Sequence, residues 1–466
     1  MARVLSRFDP AEFLVPVGVG LGAVALGGLA GAETKYAVGA ALAIVFLLLT
    51  LANLPAGIAA FTLIMFLELS PVAGGSALSF TKLAGAVLTI SWIASFATRE
   101  RFRNTLWNRH PVLSGAIVAL CAWAALSFVW AEDPSKVPGD VSRLWLTAFL
   151  FLIVYEGIRT PAQVRIVLGA FVIGASFAAL YGVVATPDAS QFAYANGASG
   201  LNRIAGTVGD PNVLAATLTG GLMIALAMGF SQGRSSAVRT ASFAAALLCV
   251  SGVFLTGSRG GLVALAGAVV ASVVLAPRRR ALAALIGVII AAGGAFYYAE
   301  IAPEAARERL SLADGGTGRT DIWKIGWRMF EDKPLTGAAA GNFQVSSIHY
   351  LLAEPGALRE DTYVVDQPAV AHNAYLSILT EFGIPGLAMF MTIVIASIAC
   401  AYRAAKEFGK RGDPGMELIA GSVAVALVAL LAADLFVSEQ YNKQLWLLMA
   451  LSPAMLSIAR GRATED

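Results

Sequence analysis

Residues 238–276 read VRTASFAAALLCVSGVFLTGSRGGLVALAGAVVASVVLA. Two apolar runs, 238–256 and 259–276, meet at the tight corner Thr256-Gly257-Ser258-Arg259-Gly260-Gly261. Each run is close to the roughly 20 residues that carry a helix across a bilayer core. Arg234 and Arg239 stand at the start of the pair, and Arg278, Arg279 and Arg280 follow it. Lys and Arg collect in cytoplasmic loops. The stretch therefore reads as a transmembrane helical hairpin, entered and left on the cytoplasmic side, with Arg259 at its outer corner.

The same reading extends along the chain. Of 466 residues, 58% are hydrophobic and 14% charged, and the mean hydropathy is +0.72. A soluble protein of this length needs more surface charge, whereas surface that faces lipid is apolar. Further candidate spans lie near 13–31, 36–53, 55–70, 81–98, 111–130, 142–158, 163–185, 212–230, 280–298, 385–402, 416–437 and 441–459. The fold class is all-α, a polytopic transmembrane helical bundle of about 12–14 spans, allowing for short or merged helices. Met1 to Pro10 lead into the first run with no small-residue cleavage site, so that run reads as an uncleaved helix. Cys121, Cys249 and Cys400 lie in apolar stretches, which argues against a disulfide framework. A net charge of +3, carried largely by short loops, gives no nucleic-acid signal.

Basic residues fall in alternate loops. Arg99, Arg101, Arg103 and Arg109 form one group, Arg159 and Arg165 another, and Arg403, Lys406, Lys410 and Arg411 a third. With these, Arg3, Arg7, Arg460 and Arg462 all inside, a fourteen-span arrangement has no conflict and both termini are cytoplasmic. Two long loops then lie outside, 187–211 and 300–372. Long loops are generally functional or disordered, and these carry helix signals. Pro303 opens a short helix through Leu310. Thr320 is the expected N-cap of a helix whose Trp323, Trp327 and Phe330 form a packing stripe. A third helix is expected from Phe343 to Leu352. The chain reads as one transmembrane domain, 1–466, with an external helical cap.

His372-Asn373 begins a short apolar segment that ends at Gly383-Ile384-Pro385-Gly386, where glycine and proline should break the helix. His372 thus stands at a helix start on the outer boundary. The positive end of the helix dipole favours a neutral imidazole and a nearby anion, which suits a general base. The bland alternative is a histidine that caps the helix. Arg203, Arg259 and Arg319 fall on the same outer side, against the bias that keeps basic residues inside. An arginine fork matches phosphate oxygens, so three of them suggest a diphosphate clamp. Snorkelling, or pairing with Asp210 or Asp321, is the competing explanation. Asp434, at the outer end of a span, is a candidate by depth, with an arginine or His372 as its expected partner. Glu68 is a weaker case. His110 reads as a solvated loop residue, and nothing around His349 suggests a role. No Asp-x-Asp pair, no His or Cys cluster at ligand spacing and no phosphate-loop or nucleophile-elbow motif occurs.

At these residues the sequence resembles the O-antigen ligase and O-antigen polymerase superfamily. The likeness rests on His372-Asn373 with Gly383 and Gly386, and on Arg203 with Gly206 and Pro211-Asn212. It rests also on Thr256-Gly257-Ser258-Arg259-Gly260, and on Gly318-Arg319 with Trp323 and then Pro334-Leu335-Thr336-Gly337. The resemblance implies a GT-C membrane glycosyltransferase of the bacterial inner membrane, working in lipopolysaccharide or other polysaccharide biosynthesis from a periplasmic active site. Such enzymes move a glycan from undecaprenyl diphosphate to an acceptor sugar hydroxyl, with inversion and without a metal or other cofactor. Ligases use a lipid A-core acceptor; polymerases use another lipid-linked repeat unit. Carried onto this chain, the resemblance implies His372 as the base, and Arg203 with Arg259 or Arg319 as diphosphate ligands. Asn373, Asn212 and Asp434 complete the candidate set as supporting residues.

Two rival classes follow from the same residues. A transporter or flippase of lipid-linked glycans needs mid-membrane ionisable groups and paired broken helices in related halves, and the sequence has few of the former and one broken helix. A non-catalytic scaffold leaves the arginines and histidine unexplained.

Overall fold

Apolar runs without a polar face satisfy their backbone internally as helices and present side chains to neighbours and lipid alike. The computed structural model describes residues 34–66, 80–97, 105–184, 203–231, 233, 235–304, 306–307, 319–350 and 370–461. Its helices are α1 (Thr34–Ala52), α2 (Leu54–Ile64), α3 (Phe80–Ala97), α4 (Thr105–Arg109), α5 (Pro111–Leu126), α6 (Val137–Gly157), α7 (Pro161–Val184) and α8 (Pro211–Phe230). They continue with α9 (Ser236–Leu255), α10 (Arg259–Leu275), α11 (Arg280–Phe296), α12 (Arg319–Asp332), α13 (Phe343–Ser347), α14 (Ala374–Lys410), α15 (Pro414–Ala433) and α16 (Lys443–Ala459). No strand occurs among the described residues. Eight of these helices are long and apolar enough to cross a membrane, and five shorter apolar ones accompany them. Each expected span from 36–53 onward meets one of these helices. The span at 13–31, Glu68 and most of the loop at 187–211 lie outside the described residues.

The bundle is built around α8, α15 and α16, whose residues are nearly all buried. Small residues allow this. Gly220 on α8 faces Ala426 and Leu430 of α15, and a methyl group on Gly221 would press on Ala175 of α7. Small contact residues of this kind let helices approach closely in lipid, where apolar attraction between helices is weak. α14 packs along both α15 and α16, while α11 stands at the edge with only two buried residues, Gly287 and Gly294.

The expected break in the penultimate long helix is present. Gly383 has φ 67° and ψ −169° within α14, two residues before Pro385. A break inside an apolar bundle strands backbone groups that water cannot reach. Here the loop Pro334–Gly341 and one tryptophan take them up. The amides of Ala338 and Ala339 donate to the carbonyls of Thr380 (2.8 Å) and Glu381 (2.9 Å). Trp123 Nε1 donates to Phe382 at 2.9 Å, and the Ile384 amide donates to the Pro334 carbonyl at 2.8 Å. Gly337, at φ 67°, comes so close that a Cβ there would lie 2.3 Å from the Glu381 carbonyl carbon. The Pro-Leu-Thr-Gly stretch is thus a brace for the broken helix.

Three expectations are corrected. The cap helix α12 begins at Arg319, so Thr320 lies inside its first turn and is not the N-cap. The helix expected at 343–352 is a single turn, α13, continued as a 3-10 turn over Ile348–Tyr350. His110 is half-buried, with its ring edge-on to Tyr155 at 5.8 Å and its Nδ1 3.8 Å from Cys400 Sγ, because α5 enters the bundle directly after it. His349 also has a place. Its Nε2 lies 2.6 Å from Glu132, which accepts from Ser346 Oγ at 2.7 Å, and Asn342 bonds both backbone groups of Asp133. These contacts fasten the cap to the loop before α6.

Gly383→Ala tests the brace. A Cβ would sit 2.4 Å from the Leu335 carbonyl oxygen, at a φ that L-residues adopt at a cost of about 1–3 kcal/mol. The variant is expected to melt at a clearly lower temperature in detergent, whereas Gly412→Ala, at φ 74° with open space around it, should lose less.

Candidate functional site

The starts of α8, α10, α14 and α16 and the ends of α9 and α15 meet at the same end of the bundle, and each of these starts carries a side-chain cap. Asp210 accepts from the amides of Asn212 (2.6 Å) and Val213 (3.1 Å) at the head of α8. Ser258 Oγ accepts from Gly261 (3.1 Å) at the head of α10. Asn373 Oδ1 accepts from Leu376 (3.0 Å) at the head of α14, and Asn442 caps α16. Such caps are worth about 1 kcal/mol each. The ends are tied to one another: Asn212 Oδ1 accepts from Ser258 Oγ at 2.8 Å, and the Asp434 carbonyl, at the end of α15, accepts from the Ala374 amide at 2.9 Å. Phe436 lies against Gly260 on one side and Trp323 of α12 on the other, with ring centroids 6.2 Å apart in the second pair.

His372 precedes the cap and does not form it; Asn373 does. The histidine backbone has φ 47°, the left-handed region that a non-glycine residue occupies under constraint. The constraint is visible on both sides. Trp323 Nε1 donates to the Ala371 carbonyl at 3.1 Å, the Asn373 amide donates to Ser438 Oγ at 3.2 Å, and the Ala374 amide is held by Asp434. Three elements, α12, the 434–442 loop and α14, therefore fix the direction in which the imidazole leaves the chain. Burial pushes the His372 ring below the ordinary histidine range, the Arg319 charge adds to that, and Asp210 opposes it. The ring is neutral at pH 7, the form that accepts a proton.

Arg203 is buried, at 3% exposure. Its Nε donates to the Thr256 carbonyl at 2.7 Å and its Nη2 to Asn212 Oδ1 at 3.1 Å. One guanidinium thus binds the corner before α10 to the head of α8. Gly206, at φ 57°, lets this segment turn against the Ala178 carbonyl of α7. Arg259 is the first residue of α10 and Arg319 the first of α12, both half-buried. The structure gathers Arg203, Asn212 and the Arg259 corner by direct bonds, and brings Arg319 within electrostatic reach of His372. Asp434 is buried at the end of α15, where Glu439 is a charged neighbour and its backbone carbonyl serves the α14 head. Burial first, and Glu439 second, hold its carboxyl well above the usual range.

Two acids escaped the sequence reading. Asp210 is seen there only as a possible arginine partner, yet its charge reaches both His372 and Glu439. Glu439 is pushed up to about 7, mainly by burial. The polar run Ser438-Glu439-Gln440-Tyr441-Asn442 between two apolar spans was the available signal. Among the described residues, no three His, Cys, Asp or Glu side chains lie together as a metal site.

Residues 244–391 match the family model described as O-antigen ligase. The match covers about a third of the chain, and over that stretch the chain is similar to this family. The match contains Arg259, Arg319, His372, Asn373 and the Gly383 break, and leaves Arg203, Asn212 and Asp434 outside it. No curated protein matches the chain.

The electrostatics make a signed forecast. Arg319→Gln removes a repelling charge and should raise the His372 pKa, whereas Asp210→Asn, which keeps a good cap, should lower it. NMR titration of labelled histidine in detergent reads both, and movement in the same direction would contradict the arrangement.

Proposed function

We propose that this chain is a membrane glycosyltransferase of the O-antigen ligase type. It takes a glycan from undecaprenyl diphosphate and passes it to a sugar hydroxyl of lipid A-core on the periplasmic face of the inner membrane. The observation that carries the reading is the backbone-constrained His372, within electrostatic reach of Arg319, among helix N-termini that also bear Arg259. His372 accepts the proton of the acceptor hydroxyl as its oxygen attacks the anomeric carbon from the side opposite the diphosphate. The C–O bond to the diphosphate breaks and configuration inverts. Charge grows on the departing phosphate oxygen, where Arg259, Arg319 and the N-terminal ends of α10 and α14 stabilise it without a metal. Arg203, with two donors engaged by the protein, supplies fixed charge and holds the Thr256–Ser258 corner in place. Asn373 and Asn212 keep the two helix heads in register, and Asp434 anchors the start of α14.

His372→Ala is expected to lower transfer by about 10²–10⁴-fold, the usual worth of a general base. Arg259→Ala and Arg319→Ala should weaken use of the diphosphate donor. The assay follows glycan mobility on a gel, with an undecaprenyl-diphosphate glycan and either lipid A-core or a second lipid-linked repeat as acceptor. Unchanged transfer by His372→Ala would remove the base assignment, and a ladder made from repeats alone would make the chain a polymerase.

The sidedness has its own test. A membrane-impermeant thiol reagent on cells with a permeable outer membrane should label Gln344→Cys, in the cap, and spare Ser236→Cys, at the opposite end; both positions are exposed. The reverse pattern would place the His372 end in the cytoplasm.

A further inference from the structure

α14 runs from the His372 end of the bundle to Lys410 at the other. At that far end the structure forms a half-open cavity of about 570 Å³ between the last turns of α8, α10 and α14 and the first turns of α11 and α15. Its depth is lined by Met223, Phe230, Ile286, Ile290, Leu418 and Val425. Ser272 and Ser422 also line it, but their hydroxyls donate to the carbonyls of Ala268 (2.7 Å) and Ile419 (2.7 Å), so the wall offers them little polarity. Gly421 faces this space, with no atom within 4 Å of where its Cβ would stand. The rim differs in kind. Arg278, Arg279, Lys406 and Lys410 stand there with Glu417, which lies 4.0 Å from Arg278, so the described rim is net basic. Lys410 also pairs with Glu407 at 2.8 Å, and Lys406 lies 4.4 Å above the Tyr402 ring.

An apolar slot with a cationic rim, at the level where a bundle meets the headgroups, is complementary to one kind of molecule. We infer that this cavity binds an anionic glycerophospholipid, with an acyl chain between α11 and α15 and the phosphate on the Arg278–Arg279–Lys406 rim. Basic pockets between helices at the cytoplasmic surface recognise acidic headgroups through charge, and the chain supplies apolar burial. A polyprenyl diphosphate is the less fitting occupant, because the arginines proposed for its phosphates stand at the opposite end of the molecule. α11, whose main partner is α10, forms the outer wall, so a lipid in the slot would join the edge helix to α14 and α15. The preference for a glycerophospholipid over a polyprenyl diphosphate rests on the glycosyltransferase reading; the match of an anionic lipid to the slot and its rim does not.

The test uses the full chain, stripped of lipid in an uncharged detergent. Phosphatidylglycerol and phosphatidylcholine with identical acyl chains are titrated in turn, with native mass spectrometry counting adducts and thermal melting reporting stabilisation. Phosphatidylglycerol is expected to bind at least tenfold more tightly and to raise the melting temperature, and inorganic phosphate to do neither. Arg278→Gln/Arg279→Gln/Lys406→Gln should erase the preference between the two lipids. Gly421→Leu, which fills the slot and leaves the rim intact, should weaken both. The two variants act on different parts of the site, so either one that folds decides the matter. Equal binding of the two lipids by the unmodified chain, phosphatidylglycerol binding untouched by either variant, or displacement of phosphatidylglycerol by undecaprenyl phosphate would overturn the assignment.

Discussion

A helix cannot be broken inside an apolar bundle unless something accepts the backbone groups that the break releases. In this protein the break at Gly383 is matched group for group by Pro334, Ala338, Ala339 and Trp123. Each such group left bare in hydrocarbon would cost several kcal/mol. The brace therefore fixes where the first part of α14 lies, and with it the position of Asn373 and the direction of His372. The cap is positioned by the same contacts, since Pro334–Gly341 follows directly on α12, the helix that begins with Arg319.

The site is a convergence of helix ends more than a cleft lined by side chains. Asp210, Ser258 and Asn373 satisfy the first amides of three helices, and bonds between these heads and the end of α15 lock them together. The remaining amides and the dipoles behind them add positive potential to that of Arg259 and Arg319. Against it stand Asp210, Asp434 and Glu439. Burial raises the carboxyl groups of the last two, which limits the negative charge they bring to the site. The field at this end of the bundle thus has a permanent positive part and a reduced negative part.

Most of the architecture could be read from the chain because spans are long, apolar and flanked by arginines, and lipid leaves few alternatives to a helix. Gly383-Ile384-Pro385 announced its own break for the same reason. The neighbours of each site residue were another matter. That Asn373, and not His372, caps α14 depends on a left-handed backbone at His372, which no propensity of histidine foretells. That Arg203 spends two donors on Asn212 and Thr256 depends on how α8 and α10 approach each other. The approach of Glu439 to Asp434 depends on the path of the loop between α15 and α16, which five polar residues in a row do not specify. Thr320 resembled a cap only while the start of α12 was undefined.

The bond from Trp323 Nε1 to the Ala371 carbonyl joins two points 48 residues apart in sequence. It closes the external segment at its base, directly beside His372. Closing a longer loop costs only about 0.6 kcal/mol for each doubling of its length. Between these anchors Pro334–Gly341 and α13 are bound to the bundle, so a change of length that leaves the histidine where it is would have to come after Tyr350. In this way the collar around His372 is divided into a fixed base and a part whose length is free of the bundle's packing.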